Sequence, residues 1–240
     1  MDTEKNTTVR QAQRIQTSII NGIERRTLIW LAKRMPRWVT SDMLTIVGVL
    51  GSAMIAAGFI LTNYSINWLW LSSAGLVVNW FGDSLDGTLA RVRNTQRPIY
   101  GYYLDHTVDC INEGLMFIGA GLSPLLHLNL ALIAFIIYLV LTINVSINAH
   151  LKSEFRLTYA KMGPTEFRLL IIIANTLLMA FPRLANYENT YTLWGLTTTF
   201  HALDYVAAGC IIILTLMYIV TWYTDLRKYA KMDPKKDLRQ

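Results

Sequence analysis

The chain has 240 residues, 53% of them hydrophobic, with a mean hydropathy of +0.33 and a formal net charge of +6. That composition leaves room for one integral membrane domain and none for a second soluble one. The positive charge reads as membrane topology and contact with anionic lipids rather than nucleic-acid binding. The two cysteines, Cys110 and Cys210, both inside predicted helices, make neither a disulfide framework nor a zinc site.

Residues 5–37 read as an amphipathic helix lying in the membrane interface. Ile15, Ile19 and Ile23 recur at four-residue spacing, and Arg14, Arg25, Arg26, Lys33 and Arg34 fill the charged remainder. Pro36 ends it, and Thr40-Ser41-Asp42 has the composition of a cap for the next helix. Apolar runs of spanning length follow at Met43–Thr62, Ile66–Phe81, Tyr102–Leu122, Leu130–Ala149, Glu166–Pro182 and Leu203–Trp222. The first of them lies too far along the chain to be a cleaved signal peptide. The second helix is expected to continue to about Arg93, with a turn over Asn94–Tyr100 and a third helix starting near Gly101. The polar stretch Arg183–His201 carries no pattern of its own. The fold class expected is an all-α integral membrane protein with six transmembrane helices plus the N-terminal interfacial helix. The domain boundaries are 1–37 for that helix, 38–225 for the membrane domain and 226–240 for a basic tail.

Of the 22 Lys and Arg residues, all but Arg183 fall in the N-terminal segment, the loops after the second and fourth helices, or the tail. With six helices these lie on one side, which puts both termini in the cytoplasm. A bacterial inner membrane fits the compact length better than an endoplasmic-reticulum membrane.

One segment conflicts with its surroundings. Between Asp83 and Asp109 the chain reads Asp83-x2-Asp86-Gly87-x2-Ala90-Arg91-x9-Gly101-x3-Asp105-x3-Asp109. An Asp at the bilayer centre costs roughly 2.5–3.5 kcal/mol on insertion scales, and less towards the interface. Four that repel one another need an outside charge, which two divalent cations would supply. On helices, Asp83 and Asp86 share a face, as do Asp105 and Asp109. A turn between the two helices lets the pairs converge. Gly87 and Gly101 clear space for a ligand, and Arg91 is placed to meet a phosphate oxygen. Aspartates, cations and an arginine make a phosphoryl-transfer arrangement.

The array resembles the signature of the CDP-alcohol phosphotransferase family, D-x2-D-G-x2-A-R, a short spacer, then G-x3-D-x3-D, with all eight positions matched. The resemblance covers the chain from about Trp38 to Trp222. It implies six helices, a homodimer, Mg²⁺ or Mn²⁺ as two divalent ions, and displacement of CMP from a CDP-linked donor by an alcohol. It further implies that Asp83, Asp86 and Asp105 hold metal, and that Asp109 holds the second ion or acts as base. Asp86, Gly87, Ala90, Arg91 and Gly101 would line the nucleotide pocket. The chain departs from the family in carrying Asp42 where an asparagine often precedes the Leu-Thr of the first helix.

Asp-His-x-x-Asp at Asp105–Asp109 and Thr165-Glu166 before Phe167-Arg168-Leu169 resemble the choline/ethanolamine phosphotransferase subgroup. There the donor is CDP-choline or CDP-ethanolamine, the acceptor is diacylglycerol, and the histidine and glutamate work as a pair. Physical chemistry points the same way. A lipid hydroxyl is a weak nucleophile that needs a base of pKa near 7, and metal-bound aspartates are too acidic. His106 is the candidate base and Glu166 its orienting partner. Two other readings stand beside this one: a CDP-diacylglycerol-dependent transferase using a small soluble alcohol, and a divalent-cation transporter. The transporter is disfavoured because the acids lie at one membrane face rather than near the midplane. Glu113, four residues beyond Asp109, extends the stripe, while Asn79, Asn144, Asn148 and Asp204 are expected to hydrogen-bond between helices.

Overall fold

The computed structural model describes residues 13–15, 21–152, 154–156, 164–193 and 195–234. The helices are α1 (Asn21–Arg34), α2 (Ser41–Leu61), α3 (Leu69–Val92), α4 (Pro98–Gly121), α5 (Leu128–Lys152), α6 (Pro164–Ala180), the single turn α7 (Pro182–Ala185) and α8 (Ala202–Met232). Short strands β1 (Gln13–Ile15) and β2 (Glu154–Arg156) pair in parallel, and β3 (Glu188–Leu193) and β4 (Leu196–His201) form a hairpin.

Each of the six apolar runs lies mainly within one long helix. By length and composition, α2, the Leu128–Asn148 part of α5, and α8 are fit to cross a membrane. Helices α3 and α4 carry the aspartate array in the halves nearest their shared turn, and α6 has only 17 residues. Exposed apolar side chains on α5, α6 and α8, among them Ile136, Ile143, Ile173, Leu216 and Val220, form faces suited to lipid rather than water.

Three sequence expectations need correction. Of the helix expected over 5–37, α1 covers Asn21–Arg34, and Gln13–Ile15 is a strand; residues 5–12 and 16–20 lie outside the described residues. The face that α1 packs on the bundle is separate from Ile23. Ile23 is 72% exposed, whereas Leu28 and Ala32, one turn apart, are buried with Leu44, Leu85 and Leu89. Helix α4 starts at Pro98, three residues before Gly101, because proline fits the first helical position, where no intrahelical N–H is required. The segment Arg183–His201 holds the β3–β4 hairpin, with cross-strand hydroxyl pairs Thr190–Thr199 and Thr192–Thr197 and Gly195 at φ +80° in its turn. The basic tail is helical as far as Met232, continuous with α8.

Helix α2 begins where Thr40, in extended conformation, accepts a hydrogen bond from the Met43 N–H. Beyond α3, Arg93 returns to the exit of α1, donating to the Met35 and Pro36 carbonyls at 3.0 and 2.8 Å. Among the described residues α2 and α3 pack most extensively, lined by Gly48, Gly51, Ser52 and Gly58 on one helix and Ser72, Gly75, Asn79 and Gly82 on the other. Such small residues let backbones approach where lipid offers no hydrophobic drive. A Cβ on Gly82 would lie 2.3 Å from the Gly48 nitrogen. Helix α4 packs on α2 and α5, and α3 and α4 make few contacts with each other. A cleft therefore opens between their aspartate-bearing ends, with α2 as its floor.

Candidate active site

The carboxylates of Asp83 on α3 and of Asp105 and Asp109 on α4 offer oxygens that all lie within 4.8 Å of one another. They line a cavity of about 10 Å³, together with Asp86, Thr45, Gly48 and Asn112. Asp86 sits deeper against α2. Its Oδ2 accepts from the Thr45 hydroxyl at 2.7 Å and its Oδ1 from the Gly87 N–H. Ser41 donates to its carbonyl at 3.0 Å. The expected convergence of two pairs is thus three aspartates within ligand range of each other and a fourth, held by Thr45, on the same cavity wall.

A guanidinium stands beside this cluster. Arg168, in the second turn of α6, donates from Nη2 to Asp83 Oδ2 at 2.6 Å and from Nε to Asn79 Oδ1 at 2.9 Å. Asn79 is itself fixed by donating to Gly48 O and Ser52 Oγ across the α2–α3 interface. The arginine offsets part of the negative charge and is positioned by a buried amide. The sequence marks Arg168 only as a basic residue at a loop edge, and it does not single out Thr45, Asn112 or Glu24 as site residues. Asn112 is legible in principle, since Asp105, Asp109 and Asn112 follow helical spacing on one face. Glu24 accepts from Trp80 Nε1 at 2.9 Å and from the Thr165 hydroxyl at 2.6 Å, joining α1, α3 and α6 behind the site.

Among the expected nucleotide contacts, Arg91 folds back over the helix, donating from Nη2 to Thr88 Oγ1 at 3.0 Å, with Nη1 3.3 Å from where a Gly87 Cβ would sit. Ala90 is half-buried and adjacent. Gly101 is exposed, and a Cβ there would meet no protein atom within 4 Å. Packing does not demand glycine at that position, and glycine in a helix costs about 1 kcal/mol relative to alanine. We expect Gly101→Ala to raise thermal stability slightly while raising the KM for a CDP-linked donor. An unchanged KM would remove Gly101 from the binding surface.

His106 stacks on Tyr102, with ring centroids 4.0 Å apart, and its Nδ1 lies 3.0 Å from the Tyr102 carbonyl oxygen. A carbonyl only accepts, so Nδ1 carries the hydrogen in this contact, and in the neutral ring Nε2 is the nitrogen with the lone pair. The same Nδ1 is 3.6 Å from Asp105 Oδ2. Glu166 lies in the first turn of α6, two residues before Arg168, which brings that turn to the aspartate end of the bundle. Deeper along α4, Glu113 faces Tyr138 of α5, and its Oε2 is buried without a hydrogen-bond partner. Asn148 joins α5 to α8 through Asp225 and Tyr229 at 2.8 and 2.6 Å.

The donor set fits a divalent cation. It consists of hard oxygens, and Asn112 Oδ1, on the same cavity wall, is buried without a hydrogen-bond partner. Carboxylate and amide oxygens select Mg²⁺ or Mn²⁺ over softer metals.

Fold and site define a helical membrane protein with an oxygen-lined pocket at one end of its bundle. The family model described as CDP-alcohol phosphatidyltransferase matches residues 38–208, and the chain belongs to that family. Cholinephosphotransferase 1 of Gallus gallus is 26% identical to it over 186 residues, covering 75% of this chain and 55% of the chicken protein. Phosphatidylinositol phosphate synthase of Cutibacterium acnes is 34% identical over 86 residues, covering 35% of this chain and 38% of that protein. The matched regions thus span about half the length, or less, of these curated relatives.

Proposed function

We propose that the protein is a phospholipid-synthesising transferase that moves a phospho-head group of the ethanolamine or choline type from a CDP-linked donor to a lipid alcohol such as diacylglycerol, releasing CMP. The observation that carries the reading is the meeting of Asp83, Asp105 and Asp109 at a cleft lined by Asp86 and Asn112. Asp83, Asp105 and Asp109 would hold divalent cations, with Asp86 completing the set. When bound, the ions supply charge neutralisation at the pyrophosphate and Lewis-acid polarisation of the phosphoryl oxygens.

The chain's own groups do the rest. Arg91 and the space at Gly87 and Gly101 receive the nucleotide half of the donor. Arg168, already oriented by Asn79, offers a guanidinium to a donor phosphate. His106 takes the proton of the attacking hydroxyl at Nε2, while the Tyr102 carbonyl holds Nδ1–H and Glu166 favours the imidazolium. The new O–P bond forms at the β-phosphorus, the bridging P–O bond breaks, and its electron pair leaves on CMP. Apolar faces between helices give a lipid acceptor lateral access. In this reading six helices cross the bilayer, both termini and the site face the cytoplasm, and the protein works as a homodimer in a bacterial inner membrane.

A second reading is favoured by the similarity to the phosphatidylinositol phosphate synthase. There the lipid sits on the CDP and a small alcohol attacks. The deciding experiment crosses CDP-ethanolamine, CDP-choline and CDP-diacylglycerol with diacylglycerol and with soluble alcohols, and reads CMP release in Mg²⁺. Turnover of a CDP-amino alcohol with diacylglycerol supports the first reading, and turnover from CDP-diacylglycerol alone supports the second. Release of no CMP from any pair, with Mg²⁺ uptake into sealed vesicles, would restore the transporter. His106→Ala should lower turnover about 100-fold or more, the range of a general base. Near-wild-type turnover in that variant would leave Asp109 as the better base.

A further inference from the structure

At the end of the bundle opposite the aspartates lies a second polar cluster. Helix α4 spans roughly 36 Å; the aspartates occupy its first half, and His127 follows its far end, just before α5. His127, His201 and Asp204 each offer a ligand atom, all within 4.8 Å of one another. Asp204, in the first turn of α8, is 1% exposed. Its Oδ1 accepts from the His127 N–H at 2.8 Å, and its Oδ2 from His127 Nδ1 at 2.8 Å and from the His201 N–H at 2.6 Å.

Hydrogen bonds account fully for Asp204, while the His201 side chain sits in capping-box position towards the Asp204 N–H. The His201 Nδ1 is buried, makes no hydrogen bond of good geometry, and lies 3.3 Å from Asp204 Oδ2. On the other side of the ring, Nε2 is 3.9 Å from Glu188 Oε1, the residue paired with His201 at the base of the hairpin. With hydrogen on Nε2, on the Glu188 side, the ring would present Nδ1 as a ligand, the arrangement of many metal-binding histidines. In that tautomer the Nδ1 lone pair and Asp204 Oδ2, 3.3 Å apart, are both open to one shared cation. Bonds of about 2.0–2.2 Å in a tetrahedral site place neighbouring ligands about 3.3 Å apart, which the His201–Asp204 separation already matches. His127 Nδ1 would have to withdraw by about half an ångström.

We propose that His127, His201 and Asp204 form a second metal site, for a borderline divalent ion such as Zn²⁺, with water completing the coordination. Two imidazoles and one carboxylate differ in kind from the all-oxygen donors of the aspartate cluster, so the two ends of the bundle select different ions. The site joins the start of α5, the start of α8 and the base of the β3–β4 hairpin. Its role is to hold the far ends of these helices together.

The test is Zn²⁺ titration of the purified full chain with saturating Mg²⁺ present to fill the aspartate cluster. About one equivalent of Zn²⁺ should bind, and the melting temperature should rise with it. Co²⁺ in its place should give the visible absorption of a four- or five-coordinate nitrogen–oxygen site. His127→Ala and His201→Ala should each weaken binding by more than the roughly 10–100-fold typical of losing an outer-shell partner. Asp204→Asn also removes a helix cap and can misfold, so the histidine variants carry the test. No uptake by the wild type, or uptake unchanged in both histidine variants, overturns the proposal. A melting temperature that follows pH but not Zn²⁺ overturns it too, leaving a protonated His201 as the cation.

Discussion

Asp105→Asn is expected to reduce CMP release by about 1,000-fold or more while leaving the fold intact. A cation at a phosphoryl centre supplies several kcal/mol of charge stabilisation, and each 1.36 kcal/mol is tenfold in rate. Asparagine keeps an oxygen donor but removes one of the negative charges that would hold the ion. Asp105 suits the experiment because its side chain is half exposed, whereas Asp83 is tied to Arg168 and Asp86 to Thr45. Replacing either of those would disturb helix contacts as well as charge. Mn²⁺ affinity, read by the loss of the free-ion paramagnetic signal, should weaken in parallel, which separates loss of the cation from loss of donor binding. Wild-type turnover and unchanged Mn²⁺ affinity in this variant would dissolve the metal assignment and with it the proposed transfer chemistry.

How far such a site can be read from sequence depends on which contacts are local. Asp83 and Asp86, or Asp105 and Asp109, share a face by helical spacing alone, so the array is legible in the order of residues. The six long helices follow from hydropathy for the same reason, since the run length of apolar residues is a local property. Arg168 is not legible in that way. It meets Asp83 from 85 positions away, and that meeting depends on how α6 is rotated about its axis, which hydropathy does not resolve. The His127–Asp204 contact, 77 positions apart, is hidden for the same reason; hydropathy marks Asp204 as a bonding partner between helices but does not point to its histidines. The hairpin is a different case. Thr190-Tyr191-Thr192 and Thr197–Phe200 are β-branched and aromatic, and Gly195 separates them, so a strand signal is present. It is easily passed over because the segment lacks the apolar alternation of a half-buried strand. In the N-terminal segment, four-residue spacing suggests one continuous helix, yet Gln13–Ile15 pairs with Glu154–Arg156. Backbone pairing with a distant strand leaves no trace in helical periodicity.

Gly82→Val is expected to prevent folding. Its Cβ would lie 2.3 Å from the Gly48 nitrogen and 2.5 Å from the Leu44 carbonyl oxygen, backbone atoms that cannot swing aside as a side chain can. Relief requires α2 and α3 to separate, which would forfeit the contacts of Leu44, Leu85 and Leu89 at one end and of Ile55 and Leu76 at the other. It would also break the Asn79 bonds to Gly48 and Ser52. Overpacking alone costs about 1–3 kcal/mol in cores that can adjust; without that freedom the loss should exceed about 4–5 kcal/mol, the range reserved for severe defects. In detergent the variant should aggregate or elute as a broad species, while Gly101→Ala, also a glycine replacement in a helix, remains monodisperse. A well-behaved Gly82→Val protein with an unshifted melting temperature would show that the two helices are not in backbone contact. The same spacing governs function, because Gly82 immediately precedes Asp83 and Asn79 lies one turn before. The glycine seam that lets the helices touch therefore also sets the rotation that points Asp83 at Asp105, Asp109 and Arg168.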